Sequence, residues 1–372
     1  MSQNISLKDK FYGCIAGVYV GAAMGAPVKG LSHQEIEAKY GVLDRLLSYE
    51  RNNSGWVREK GTTEDGVERH KLMATAIIEK QDRVNAEDIR AIWVRDIRAE
   101  AAGTIAEPFE TTLLGVAKSG IPARDLGKYC DYAGLSTASG SCQPIGLINA
   151  GDVRNAVADA FEIGQLYQAS KSYAVRWAGV SAAAIASATK PGATVDSVIG
   201  DIFRYCDYSD LAAKIDGTKY GYLRDNVIQE LDSGLKRTVH CQDFRELREA
   251  FDKIYYGCGV PYCNSFANEA LTKALCILRL VKGNVHDAIL AGVNMGRDTD
   301  SVASIAGGLA GALSGSATLP EELIQQVDQA TALNPYTNQQ LTIRQQADGL
   351  YQAFHARLQK INTFTETMLA TS

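Results

Sequence analysis

None of the eight cysteines is spaced as a CxxC pair, and Cys258 and Cys263 have no second pair to complete a zinc site. Cys14 and Cys276 sit in apolar helical patterns, so reduced, buried thiols are expected and disulfides are not. There is no basic tract, and the net charge of −5 gives nucleic acid nothing to hold. Few runs alternate with a strand period, and no βαβ rhythm appears, which excludes the parallel-sheet folds. Apart from residues 11–28, no stretch is apolar for long enough to cross a membrane.

That one run decides between a membrane segment and a core helix. Gly13, Gly17, Gly21 and Gly25 recur every fourth residue and leave one helix face bare. Gly307, Gly311 and Gly315 repeat the device near the other end of the chain. GxxxG faces also pair helices in membranes, but two bare faces in a chain without other spans point to close packing inside a soluble core. The expectation is a cytoplasmic protein with no membrane and no nucleic-acid partner.

The chain has 372 residues, 46% hydrophobic and 22% charged, enough for a large core. Helical periodicity recurs over 67–77, 86–99, 153–166, 174–188, 194–205, 223–235, 243–254, 265–281, 285–293, 302–313, 324–332 and 341–361. Ser32 and Glu35 have capping-box spacing. Residues 50–62, 100–112 and 134–151 read as loops. The predicted fold is all-α, one domain over residues 1–372.

Two oxygen clusters carry the chemistry. Asp298, Asp300 and Ser301 open the apolar run 302–313, just after Gly296. Thr62, Thr63, Glu64 and Asp65 stand at the start of the pattern that begins at Val67. Acids at a helix start are favoured as caps by unpaired N–H groups and the macrodipole. A cap explains one acid, not two acids and a hydroxyl at each of two helix starts. Hard oxygen donors so grouped suit Mg²⁺ or Mn²⁺, and six of them suit a two-metal centre.

In these segments the chain resembles the ADP-ribosylglycohydrolase family, specifically members like the dinitrogenase-reductase-activating glycohydrolase. The family's G-D-A-L-G-A-P first helix matches residues 21–27, its T-D-D-T segment matches 63–66, and its late G-x-D-x-D-T matches 296–301, followed by A-G-x-x-x-G-A at 306–312. The resemblance implies an all-α fold, two Mg²⁺ (or Mn²⁺) ions and a ligand set of Thr63, Glu64, Asp65, Asp298, Asp300 and Ser301. It further implies a glycohydrolase acting on a small-molecule or ADP-ribosyl substrate.

The departures narrow the reading. Glu64 stands for an Asp and Ser301 for a Thr, each keeping an oxygen. Gly66 replaces a hydroxyl residue, Ala22 an Asp, and Lys29 stands where serine-specific members carry Glu. No histidine follows the middle helix around 166–171. An N-ribosyl bond is therefore favoured over the serine O-linked one. Candidate catalytic carboxylates are Asp65, Asp300 and Glu107, with Glu110 in reserve near the substrate. The alternative for Glu107 and Glu110 is a solvated loop.

Lys29 at the cleft rim is expected to face a substrate anion or one of the metal-site acids. Ser139, Gly140 and Ser141 offer backbone N–H groups to a phosphate or sugar, or else form an ordinary turn. Arg297 is a further candidate substrate contact. Trp56 and Arg58 offer a stacking face and a cation, or a surface anchor. Glu68 is read as a possible supporting acid, His70 as a helix-surface residue, and Tyr255, Tyr256 and Tyr262 as cleft or core aromatics. A catalytically silent binding or structural member of the fold is the rival reading.

Overall fold

The computed structural model describes residues 5–50, 55–98, 108–130, 134–169, 173–207, 227–255, 266–334 and 336–371. Among these residues the regular structure is helical, with isolated β-bridges and no strand.

The first helix, Leu7–Gly25, lies against the helix Thr299–Ser314 along the glycine seam. A Cβ at Gly17 would sit 2.2 Å from the carbonyl oxygen of Gly307, and one at Gly311 would sit 2.0 Å from that of Gly13. The two backbones therefore touch, and dispersion contacts replace the missing side chains. Leu7–Val28 is long and apolar enough to span a bilayer, yet nearly all of it is buried inside the fold. The hydrophobic core runs as one cluster from Phe11 to Phe354.

The seam also sets the register of the site. Its last glycine, Gly25, meets Thr299 and Asp300, and the Thr299 hydroxyl donates to the Gly25 carbonyl at 2.8 Å. The chain then makes a 3₁₀ turn, Ala26–Val28, so that Lys29 emerges beside the acidic segment. Gly30 N–H donates to the Arg297 carbonyl and Arg297 N–H to the Leu31 carbonyl, both at 2.7 Å. Gly296 has φ +75°, and a Cβ there would lie 2.5 Å from His33 N, so only glycine fits.

Several boundaries depart from the sequence pattern. The late helix starts at Thr299, which puts Asp300 and Ser301 inside its first turn. The helix Pro108–Lys118 begins within the segment read as a loop, with proline at its favoured first position. A short helix, Gln143–Ile148, and turns fill much of 134–151. The last helix, Ile343–Ala370, continues past residue 361 and exposes Phe364, Met368 and Leu369. The Ser32–Glu35 capping box is present. The described Cys14, Cys142, Cys241 and Cys276 are free and buried, Cys206 is buried and Cys130 partly buried; Cys258 and Cys263 lie outside the described residues.

Candidate active site

The two acidic segments come together where the helix Asp65–Lys80 and the helix Thr299–Ser314 begin. Their N-cap residues are Glu64 and Asp298, and neither side chain makes a capping hydrogen bond. Capping thus fails to account for either acid. Glu64, Arg69, Ser136, Gly140, Ser141, Asp300 and Ser301 line a cleft of about 320 Å³, counting its open mouth.

Each acid is matched by a cation of the chain. Lys29 Nζ lies 2.9 Å from Asp300 Oδ2 and 3.4 Å from Asp298 Oδ1. Arg58 pairs with Glu64, which also accepts a hydrogen bond from the Tyr49 hydroxyl at 2.6 Å. Arg69 pairs with Asp65 one turn earlier on the same helix. Four carboxylates therefore meet three cations in a nearly dry setting. Burial pushes the Asp298 carboxyl up to about 7; the Lys29 charge opposes that rise and the Asp300 charge adds to it. Ser136 Oγ stands 3.4 Å from Asp298 Oδ2.

Fit to a metal follows from these contacts. Among the described residues no three acidic, histidine or cysteine side chains converge tightly enough to hold an ion as they stand. Two oxygens nevertheless want a partner: Thr63 Oγ1 and Asp300 Oδ1 are buried without a hydrogen bond. Such orphans carry a desolvation cost that a bound hard cation would offset. With them, the donor chemistry fits one divalent ion. The Lys29 ammonium takes up one oxygen of Asp300 and stands against one of Asp298.

Other expected contacts are placed differently. Arg297 has φ +69° and sets its guanidinium on Glu269, at 2.7 and 2.9 Å, which makes it a brace within the fold. The Gly140 N–H donates to the Ser136 carbonyl and the Ser141 N–H to the Ala138 carbonyl. Those amides are taken up in the turn, although Gly140 and Ser141 still line the cleft. Ser139 is fully buried, with its hydroxyl on the Ser136 carbonyl. Arg58 is 1% exposed and stacks on Trp56, 4.5 Å from the ring centroid, which removes it from the surface.

His70, expected on a helix surface, is fully buried edge-on to Tyr19. Glu68 pairs with Lys71 and accepts from the Thr337 hydroxyl. Tyr255 stacks on Phe251 and reaches Glu230. Glu107, Tyr256 and Tyr262 lie outside the described residues, as does the side chain of Glu110. Sequence reasoning missed Tyr49 and the cleft-lining Ser136 and Ser304. It also missed the Asp65–Arg69 pair, whose i,i+4 spacing was there to be read.

The ADP-ribosylglycohydrolase family model matches residues 3–359. An uncharacterized protein of Archaeoglobus fulgidus is 25% identical over 312 residues, covering 82% of this chain and 88% of its own. A solved structure described as an ADP-ribosylglycohydrolase-related protein complex is similar in fold, with a TM-score of 0.62 at 14% identity. That match covers 94% of this chain and 99% of the solved one. With nearly the whole length matched, and with the acids of both helix starts gathered at one cleft, the chain belongs to the ADP-ribosylglycohydrolase family, a family of glycohydrolases.

Proposed function

We propose that the protein is a metal-dependent hydrolase of an N-ribosyl bond, in an ADP-ribosyl-arginine-like adduct or a small nucleoside-like metabolite. The observation that carries this reading is the cleft walled by Glu64, Asp300 and Ser301, beside oxygens left without partners. Thr63, Glu64, Asp65, Asp298, Asp300 and Ser301 are the residues that would hold Mg²⁺ or Mn²⁺. The ion, when bound, supplies Lewis acidity and a water of lowered pKa.

Ribosyl cleavage passes through an oxocarbenium-like state that anionic oxygens stabilise. Asp300 lines the cleft with one oxygen bonded to Lys29 and the other unpartnered, so it is placed to take a proton. Asp65 is the second candidate, restrained by Arg69. Glu107 precedes the helix Pro108–Lys118 in sequence and Glu110 falls in its first turn; both are kept as candidate acids for the leaving group. Ser136 and Ser141 line the cleft, with their hydroxyls turned to Asp298 and to the Thr137 carbonyl. The reading is of a cytoplasmic enzyme acting on a soluble substrate.

Purified protein with Mg²⁺ or Mn²⁺ should release ribose or ADP-ribose from a panel of N-linked substrates, and EDTA should stop it. Cleavage of an O-linked substrate with none of the N-linked ones would reverse the choice of bond. A second reading, a catalytically silent member, is favoured by the pairing of Lys29, Arg58 and Arg69 with the acids. A thermal midpoint indifferent to both metals, together with no turnover, would select it.

A further inference from the structure

Lys29 does the electrostatic work of an ion. Its ammonium touches Asp300 at 2.9 Å and Asp298 at 3.4 Å, and the side chain is only 15% exposed. Two carboxylates so close repel one another unless a positive charge stands between them. The backbone on either side of Lys29 is tied to the acidic segment. Gly25 abuts Thr299 and Asp300, and the hydrogen bonds of Gly30 to Arg297 and of Arg297 to Leu31 bracket the residue. A lysine on a free loop would swing aside for a dication. This one is anchored on both sides to the segment it neutralises.

Six oxygens at two helix starts are enough for two ions, but the Lys29 ammonium already occupies Asp300 Oδ2 and stands against Asp298 Oδ1, which takes two of those oxygens from any second dication. The unpartnered oxygens, Thr63 Oγ1 and Asp300 Oδ1, leave room for one cation's demand. We propose that Lys29 replaces one of two divalent ions, so that the centre takes a single Mg²⁺ or Mn²⁺ and carries its second positive charge covalently. The proposal rests on the metal-dependent reading above. One consequence is that a chelator strips only part of the centre's positive charge.

The test counts ions and does not depend on turnover. Metal-stripped full-length protein is titrated with Mn²⁺, and bound manganese per chain is measured by mass spectrometry after gel filtration and by electron paramagnetic resonance. The expected result is one Mn²⁺ per chain with the spectrum of an isolated ion. Lys29→Glu, which adds a carboxylate and removes the ammonium, should bind two with an exchange-coupled spectrum. Lys29→Gln should bind its manganese at least tenfold more tightly than the unaltered chain. Two Mn²⁺ in the unaltered chain would overturn the inference and leave metal dependence standing. A count of one in both the unaltered chain and a folded Lys29→Glu would overturn it as well. Binding of none in either would sink the metal-dependent reading and the inference with it.

Discussion

Arg58 Nε lies 3.0 Å from Glu64 Oε1, with the two side chains 1% and 2% exposed. The guanidinium is sandwiched near the rings of Trp56 and Tyr49, and the Tyr49 hydroxyl completes the set by donating to the same carboxylate. A paired bridge between Tyr49 and Arg58 fixes both backbones. Removing one partner leaves a buried charge uncompensated. Arg58→Ala should therefore lower unfolding free energy by about 3–5 kcal/mol, and Glu64→Gln in the same chain should restore part of it. Urea denaturation of the single and double variants checks this. An Arg58→Ala loss no larger than that of an exposed arginine would refute the role given to the pair.

The glycine seam makes a sharper steric statement. Gly17→Ala or Gly311→Ala drives a methyl into the opposing backbone at 2.2 or 2.0 Å. Neither helix can yield without moving the whole seam, so each should cost about 3 kcal/mol or more, or prevent soluble expression. Gly200, inside the helix Val195–Tyr205, has open space around it. Gly200→Ala should instead stabilise by about 0.5–1 kcal/mol through helix propensity. Thermal denaturation of the three variants reads both signs.

How far the sequence foretold this depends on which signal each residue carries. The seam was legible because a four-residue glycine period survives in one dimension. The two acidic helix starts were legible because residue type and local position define them. Lys29 against Asp300 was half legible: its place after the first helix was visible, but the pairing joins residues 271 apart. Arg58 looked like a surface residue because its loop is polar, yet stacking on Trp56 buries it. His70 was misplaced because the helix Asp65–Lys80 is buried on nearly every side, and periodicity then marks no outer face.

His70 gives the pH dependence its sign. Burial lowers its pKa from 6.5 to about 3. The folded value lies below the unfolded one, so the unfolded chain takes up a proton first as the medium is acidified. Stability from this residue is complete above pH 6.5 and is lost as pH falls toward 3. Between pH 7.5 and 5 the unaltered protein should lose about 2 kcal/mol more than His70→Gln does, at ~1.4 kcal/mol per pKa unit. Urea midpoints at both pH values measure the difference. Equal losses in the two proteins would show that His70 does not stay neutral in the fold.

Arg297 combines backbone strain with an ion pair, and two substitutions separate them. Its φ of +69° lies in the left-handed region, and its guanidinium spans both oxygens of Glu269. Glu269 also accepts from Lys273, so losing the arginine does not strand it. Arg297→Ala keeps the strained backbone and loses the pair, while Arg297→Gly loses the pair and relieves the strain. The alanine variant should be destabilised by about 2–3 kcal/mol, the size of a charge-assisted contact, and the glycine variant should be about 1 kcal/mol more stable than the alanine one. Because Arg297 directly precedes Asp298 and hydrogen-bonds the turn carrying Lys29, both variants should also bind Mn²⁺ more weakly. Isothermal titration with Mn²⁺ alongside urea denaturation checks the two effects. A glycine variant no more stable than the alanine one would show that the left-handed backbone at Arg297 costs nothing, and unchanged Mn²⁺ affinity would show that the brace does not position Asp298.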